Sequence, residues 1–156
     1  MGSRRDNAFI KPLCSALKKL KLPFETRISS AHKTPHRLLQ MLQNYENSGI
    51  GIVYITVAGR SNALSGFVDA NTRYPVIACP PYSEKFSGMD IYSSLRMPSG
   101  VSPLVIINPE NAALAAAKIL ALRNSEIYER ILNHQQDMKS KIELDDDEYN
   151  ARAYNG

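Results

Sequence analysis

Short runs of consecutive apolar residues alternate along the chain with longer segments in which apolar side chains recur every three or four positions. The first pattern belongs to strands buried on both faces and the second to amphipathic helices, so the alternation predicts a parallel sheet covered by helices. FETRIS (24–29), GIVYITVAG (51–59), YPVIACP (74–80) and PLVIINP (103–109) read as strands, the second of them fully buried. Leu38, Leu39, Leu42 and Tyr45 repeat at helical spacing behind Pro35, which predicts a helix over 36–47. Leu64 and Val68 mark a short helix after Gly59. In NPENAALAAAKILAL, Asn108 suits a helix cap, Pro109 the first helical position, and the alanines a helical body. The nearly all-round apolar surface of that helix predicts burial against the sheet and against another subunit. Ile127, Tyr128, Ile131, Leu132 and Met138 continue in a more charged style, as a second helix projecting outward in a way that suits oligomer packing.

The two ends depart from this regularity. MGSRRD reads as a strand-to-helix phosphate loop whose feeding strand is absent. A parallel sheet needs that strand near its middle, and a sheet formed without it exposes edges that favour aggregation. An apolar strand added ahead of Met1 is therefore expected to raise solubility and activity. Pro12 falls inside the first helical pattern, where its ring costs ~3 kcal/mol unless the helix begins later. ELDDDEYNARAYNG is acidic and then small and polar. The expected organisation is one α/β domain over 1–142 with a helical extension, followed by an acidic, flexible tail over 143–156.

A length of 156 residues suits one domain, and 44% hydrophobic with 22% charged residues is ordinary for a soluble globular protein. No apolar run is long enough to span a bilayer, and no signal pattern opens the chain, which predicts a cytoplasmic protein with no membrane partner. Cys14 and Cys79 are too few for a disulfide framework and lack metal-ligand spacing, so both read as reduced core residues. The net charge of +4 is modest, and the basic residues do not interleave with aromatics, which argues against a nucleic-acid partner. Arg4, Arg5, Lys11, Lys18, Lys19 and Lys21 gather near the start, either as a solvated helix face or as an attraction for a phosphorylated small molecule.

Candidate chemistry gathers in four stretches at predicted carboxyl ends of strands, where a parallel α/β fold collects ligands. They are GSRRD (2–6), SSAHK (29–33), AGRSN (58–62) and CPPYS (79–83). The first joins a glycine, the Ser3 hydroxyl and a helix start, suited to phosphate, with Asp6 able to accept from sugar hydroxyls; a bare helix cap explains it equally well. In the second, Ser30 offers a hydroxyl, His32 an imidazole able to accept and return a proton, and Lys33 a mobile charge for phosphate. His36 and His134 read as surface helix residues. Gly59 lets backbone approach a ligand, with donors from Arg60, Ser61 and Asn62, or else the stretch is a polar turn. With no nucleophile elbow, no phosphate loop of the Walker type and no metal cluster, proton shuttling is the remaining chemistry.

Taken together, MGSRRD, SAHKTP, VAGRSNALSGFVD, YPVIACPP, DIYSSLRMPSG and NAALAAAKIL resemble the phosphoribosylaminoimidazole (AIR) carboxylase family of purine biosynthesis, over residues 2 to about 124. The resemblance implies a flavodoxin-like three-layer α/β/α sandwich assembled into tetramers or octamers, with active sites between subunits. It implies reversible carboxylation of aminoimidazole ribonucleotide by carbon dioxide, with no cofactor, no ATP and no biotin. His32 would be the catalytic proton shuttle; Ser3, Asp6, Ser30 and Lys33 would hold the ribose phosphate; Gly59 and Ser61 would lie beside the imidazole and carbon dioxide. Lys33 and AGRSN resemble the branch that uses free carbon dioxide. The other branch, a mutase of the N5-carboxylated isomer, typically carries arginine after the histidine and AGGAAH in the turn, and is the alternative. A catalytically weak nucleotide-binding homologue is the third reading, because Arg4 and Arg5 replace the family's small hydroxyl residues.

Overall fold

A computed structural model describes residues 1–154 of the chain. Three strands, β1 (Tyr54–Thr56), β2 (Val76–Ala78) and β3 (Leu104–Val105), form a parallel sheet in the order β1-β2-β3. Tyr54 stands opposite Val76, and Ile77 opposite Leu104. The helices are α1 (Asn7–Lys19), α2 (Pro35–Glu46), α3 (Ala63–Asp69), α4 (Tyr92–Leu95), α5 (Pro109–Ala121) and α6 (Ser125–Tyr154).

The two-residue period of a strand sorts its side chains onto opposite faces. Ile55, Ile77 and Cys79 pack with Leu13 and Leu17 of α1, Ala113 and Ala117 of α5, and Ile127 and Ile131 of α6. Tyr54 and Val76 pack instead with Leu38 and Leu42 of α2 and Leu64 and Val68 of α3. Two apolar cores on either side of one parallel sheet make the expected flavodoxin-like three-layer sandwich. Alanine at 112, 113, 116 and 117 is buried, and its small side chain lets α5 approach both α1 and α6 closely. As expected, Asn108 caps α5 by accepting the Asn111 N–H at 2.8 Å, with Pro109 in the first position. Arg130 of α6 donates to the Lys21 carbonyl at 2.9 Å and so ties the end of α1 to the C-terminal helix. None of the described helices is long and apolar enough to cross a membrane.

Four expectations need correction. Residues 24–29 form no strand, and Phe24 to Ile28 are exposed. Only the end of that segment meets the sheet region. The Met1 amino group donates to the Arg27 carbonyl at 2.9 Å, the Ser29 N–H to the Met1 carbonyl at 3.1 Å, and the Gly2 N–H to the Val57 carbonyl at 2.8 Å. Met1 and Gly2 thus stand between 27–29 and the end of β1. A strand needs a paired neighbour along its length, and here the pairing stops after one step. What anchors 24–29 instead is a bond from Tyr45 Oη of α2 to Glu25 at 2.6 Å. Second, the run 51–59 contributes only three residues to the sheet. Tyr54 and Ile55 are half-buried, because β2 flanks β1 on one side alone.

Third, Pro12 lies inside α1, which begins at Asn7. The carbonyl that Pro12 leaves without a helical donor is that of Ala8, an exposed residue, so water can satisfy it. Fourth, residues 143–154 of the expected flexible tail continue α6, while 155 and 156 lie outside the described residues. No glycine or proline interrupts 125–154, and Lys139 and Lys141 precede Glu143 and Asp145 by four residues, a spacing that supports helix. Cys14 is half-buried and Cys79 buried, and both thiols are free.

Candidate active site

In a parallel sheet all carboxyl ends open on one edge, and the stretches singled out in the sequence meet there. Ser3 opens a single turn of 3-10 helix over Arg4–Asp6 and closes a reciprocal cap. Asp6 Oδ2 accepts the Ser3 N–H at 2.9 Å and Ser3 Oγ at 3.3 Å, while Ser3 Oγ accepts the Arg5 N–H at 3.2 Å. Asp6 Oδ1 has no partner among the described residues. A β-carbon on Gly2 would stand 3.4 Å from Ala58 Cβ, so the phosphate-loop candidate lies directly against the start of the 58–62 turn.

Residues 30–34 staple themselves. Thr34 N–H donates to the Ser30 carbonyl at 2.9 Å, Thr34 Oγ1 accepts the Ser30 N–H at 3.0 Å and lies 3.2 Å from Ser29 Oγ, and Ser30 Oγ accepts the Lys33 N–H at 3.3 Å. His32 and Lys33 project from this fixed turn, both exposed, and neither His32 nitrogen has a hydrogen-bond partner among the described residues. Pro35 then starts α2. The Ser29–Met1 and Gly2–Val57 bonds set the three chain segments side by side, so His32, the Ser3–Asp6 cap and Gly59 all follow neighbouring segments at one edge.

The 58–62 turn is built differently. Arg60 has φ 63°, in the left-handed region, which costs a non-glycine residue ~1–2 kcal/mol. Distant residues hold it there: the Arg60 N–H donates to Asp90 Oδ2 at 2.8 Å, and Ser93 Oγ accepts the Asn62 N–H at 3.0 Å. Asn62 is buried; its Nδ2 donates to Ser94 Oγ at 2.9 Å and its Oδ1 caps α3 through the Ser65 N–H at 3.3 Å. Thr56 Oγ1 donates to Ser65 Oγ at 3.0 Å, closing a buried polar cluster beneath the turn. Pro81, from the fourth stretch, flanks Gly59, where an added β-carbon would stand 3.3 Å from Pro81 Cγ.

The sequence reading missed Thr34, Asp90, Ser93 and Ser94. DIYSSL does signal the last three, since a carboxylate and two adjacent hydroxyls follow a strand within one short stretch. Nothing local, however, shows which backbone they hold. Beneath the edge, burial foremost and the nearby Glu110 second push the Cys79 thiol up to about 12, which keeps it protonated and unreactive. The rim carries the exposed cations Arg4, Arg5, Lys33 and Arg60, whereas the Asp6 and Asp90 carboxylates are engaged with backbone amides. Such a rim favours an anionic ligand. Among the described residues no three His, Cys, Asp or Glu side chains group as metal ligands.

The family model described as AIR carboxylase matches residues 1–141. Phosphoribosylaminoimidazole carboxylase from Archaeoglobus fulgidus is 50% identical over 148 residues, covering 95% of this chain and 81% of the relative. The enzyme of the same name from Treponema denticola is 47% identical over 146 residues, covering 94% and 92%. A human bifunctional phosphoribosylaminoimidazole carboxylase/phosphoribosylaminoimidazole succinocarboxamide synthetase is 39% identical over 131 residues, which are 84% of this chain and 31% of that protein. The crystal structure of Treponema denticola PurE superposes with a TM-score of 0.92 at 47% identity, covering 95% of this chain and 94% of the other.

Proposed function

The chain belongs to the AIR carboxylase family and is a carboxy-lyase, and from that premise we propose that it carboxylates aminoimidazole ribonucleotide reversibly with free carbon dioxide, using neither ATP nor biotin. The amino group makes the imidazole electron-rich, so a ring carbon attacks carbon dioxide directly. That carbon then bears both hydrogen and carboxylate. His32 takes the proton, the electron pair returns to the ring, and aromaticity is restored. In reverse, the protonated His32 returns the proton to the carbon and carbon dioxide leaves.

Ser3, Asp6, Ser30 and Lys33 hold the ribose phosphate in this reading, and Gly59 with Ser61 flanks the imidazole and carbon dioxide. The observation that carries it is the placement of His32. Its unbonded ring projects from a stapled turn, beside a lysine and at the same edge as the Ser3–Asp6 cap. Lys33 and the AGRSN turn favour free carbon dioxide over a carboxylated isomer as the source.

The protein works in the cytoplasm as a tetramer or octamer with sites completed between subunits. Met89, Tyr92 and Leu95, exposed around α4 near the 58–62 turn, supply apolar surface for such contacts. Native mass spectrometry reads the subunit number directly, and a monomer at micromolar concentration would reject the assembly. His32→Asn is expected to abolish carboxylation and decarboxylation while nucleotide affinity stays within about tenfold, roughly 1.4 kcal/mol. Retained turnover in that variant would remove His32 from its role.

A further inference from the structure

We propose that Asp90 and Ser93 are positioning residues of the carboxylation site, locking the Gly59–Ser61 turn in the conformation that receives the imidazole and carbon dioxide; this deepens the function proposed above and rests on it. Within the turn the peptide groups at its centre are held from outside. Arg60, at φ 63°, keeps a conformation that a non-glycine side chain leaves unless its surroundings over-determine it. Asp90 Oδ2 accepts the Arg60 N–H at 2.8 Å, and a carboxylate is a stronger acceptor for an amide than a neutral oxygen. Ser93 Oγ holds the peptides on both sides of Ser61. It accepts the Asn62 N–H at 3.0 Å and has the Arg60 carbonyl at 2.8 Å and the Asp90 carbonyl at 2.7 Å. One hydroxyl carries one proton, which those two carbonyls share, so Ser93 joins the brace to the turn.

What the brace leaves open is as telling as what it takes up. Asp90 and Ser93 engage Arg60 and Asn62, and among the described residues the Gly59 N–H and the Ser61 hydroxyl have no partner. Gly59 is walled by Pro81 and Asp90, with an added β-carbon 3.3 Å from Pro81 Cγ and 3.6 Å from Asp90 Oδ2. The Gly59 N–H is thus presented by a backbone that cannot turn away, and the Ser61 hydroxyl stands between the two held residues Arg60 and Asn62. Fixed donors are what stabilise a carboxylate as it forms, because they need no reorganisation during the reaction.

The test compares Asp90→Ala, Asp90→Asn, Ser93→Ala and Ser93→Thr in steady-state carboxylation, nucleotide binding by calorimetry, and trypsin cleavage after Arg60. Asp90→Ala is expected to lower kcat about 100-fold, the cost of a site misplaced by about an ångström, with nucleotide affinity changed less than about threefold. Asp90→Asn keeps an acceptor oxygen and is expected to return to within about fivefold of the parent. Ser93→Ala is expected to lose about tenfold in kcat, and Ser93→Thr, which keeps the hydroxyl, to recover it. Trypsin is expected to cut after Arg60 at least about tenfold faster in both alanine variants, as the turn opens locally. Parent-like kcat in Asp90→Ala, an asparagine variant no better than alanine, or unchanged cleavage after Arg60 would each overturn the proposal. Should the parent protein fail to carboxylate the nucleotide, the function proposed above fails, while the cleavage rates still decide whether Asp90 and Ser93 hold the turn.

Discussion

The two turns that carry the candidate chemistry are held in opposite ways. Residues 30–34 are fixed by Ser29, Ser30 and Thr34, partners no more than five positions apart. Residues 59–62 are fixed by Asp90, Ser93 and Ser94, partners 30 to 33 positions away. The first turn forms wherever the local chain folds. The second exists only after β2 has crossed to α4 and brought its brace back. A proton carrier on a rotatable side chain can stand on a locally stapled turn, whereas a backbone donor that must not move needs bonds from outside its own stretch.

Breaking the long-range turn should cost the most. Asn62→Ala removes the α3 cap and strands the buried Ser94 hydroxyl, and is expected to destabilise the protein by about 2–3 kcal/mol, read as a lower midpoint in urea unfolding. A loss below about 0.5 kcal/mol would mean that the buried cluster does not hold the turn. Thr34→Ala breaks the local staple and is expected to cost about 1 kcal/mol, with Thr34→Ser recovering most of it. A larger loss for Thr34 than for Asn62 would reverse the contrast between the two turns.

The smallest effect concerns Cys79, buried just after β2 and two residues before Pro81, which flanks the long-range turn. Its thiol is pushed up from 9.0 to about 12 in the folded protein, so the unfolded chain loses that proton first as pH rises. Stability is therefore drawn down from about pH 9 upward, by roughly 1 kcal/mol at pH 10. Cys79→Ala should flatten that part of the pH dependence, measured by urea unfolding at pH 8 and pH 10. The same slope in both proteins would show that Cys79 is not the source. In the native protein at pH 8, Cys79 should resist alkylation until the chain unfolds.

Much of the fold was legible where caps mark a helix or an unbroken apolar run marks a buried strand. Asn108 and Pro109 announced α5, Pro35 announced α2, and the runs 74–80 and 103–109 announced β2 and β3. The run 24–29 was not legible as what it is, because a strand is a pairing and its apolar pattern says nothing about whether a partner lies alongside. The acidic composition of 143–156 hid the uninterrupted helix-compatible spacing of Lys139, Lys141, Glu143 and Asp145. Of the candidate site, Ser3, Asp6, Ser30, His32, Lys33, Gly59 and Ser61 were all visible as chemistry. Asp90 and Ser93 were visible as residue types without a task.

By itself, the sequence determined the class of fold, the family, and local devices such as the Ser3–Asp6 cap and the Asn108 cap, each closed by partners within a few residues. Only the tertiary structure decided that β1 is flanked on one side, that Met1 and Gly2 join Ser29 to Val57, and that Asp90 and Ser93 hold Arg60 in a left-handed conformation. The division has one physical cause. Caps and turns pair groups whose separation is fixed by a few backbone dihedrals, whereas a brace across 30 residues is set by how whole helices pack on the sheet.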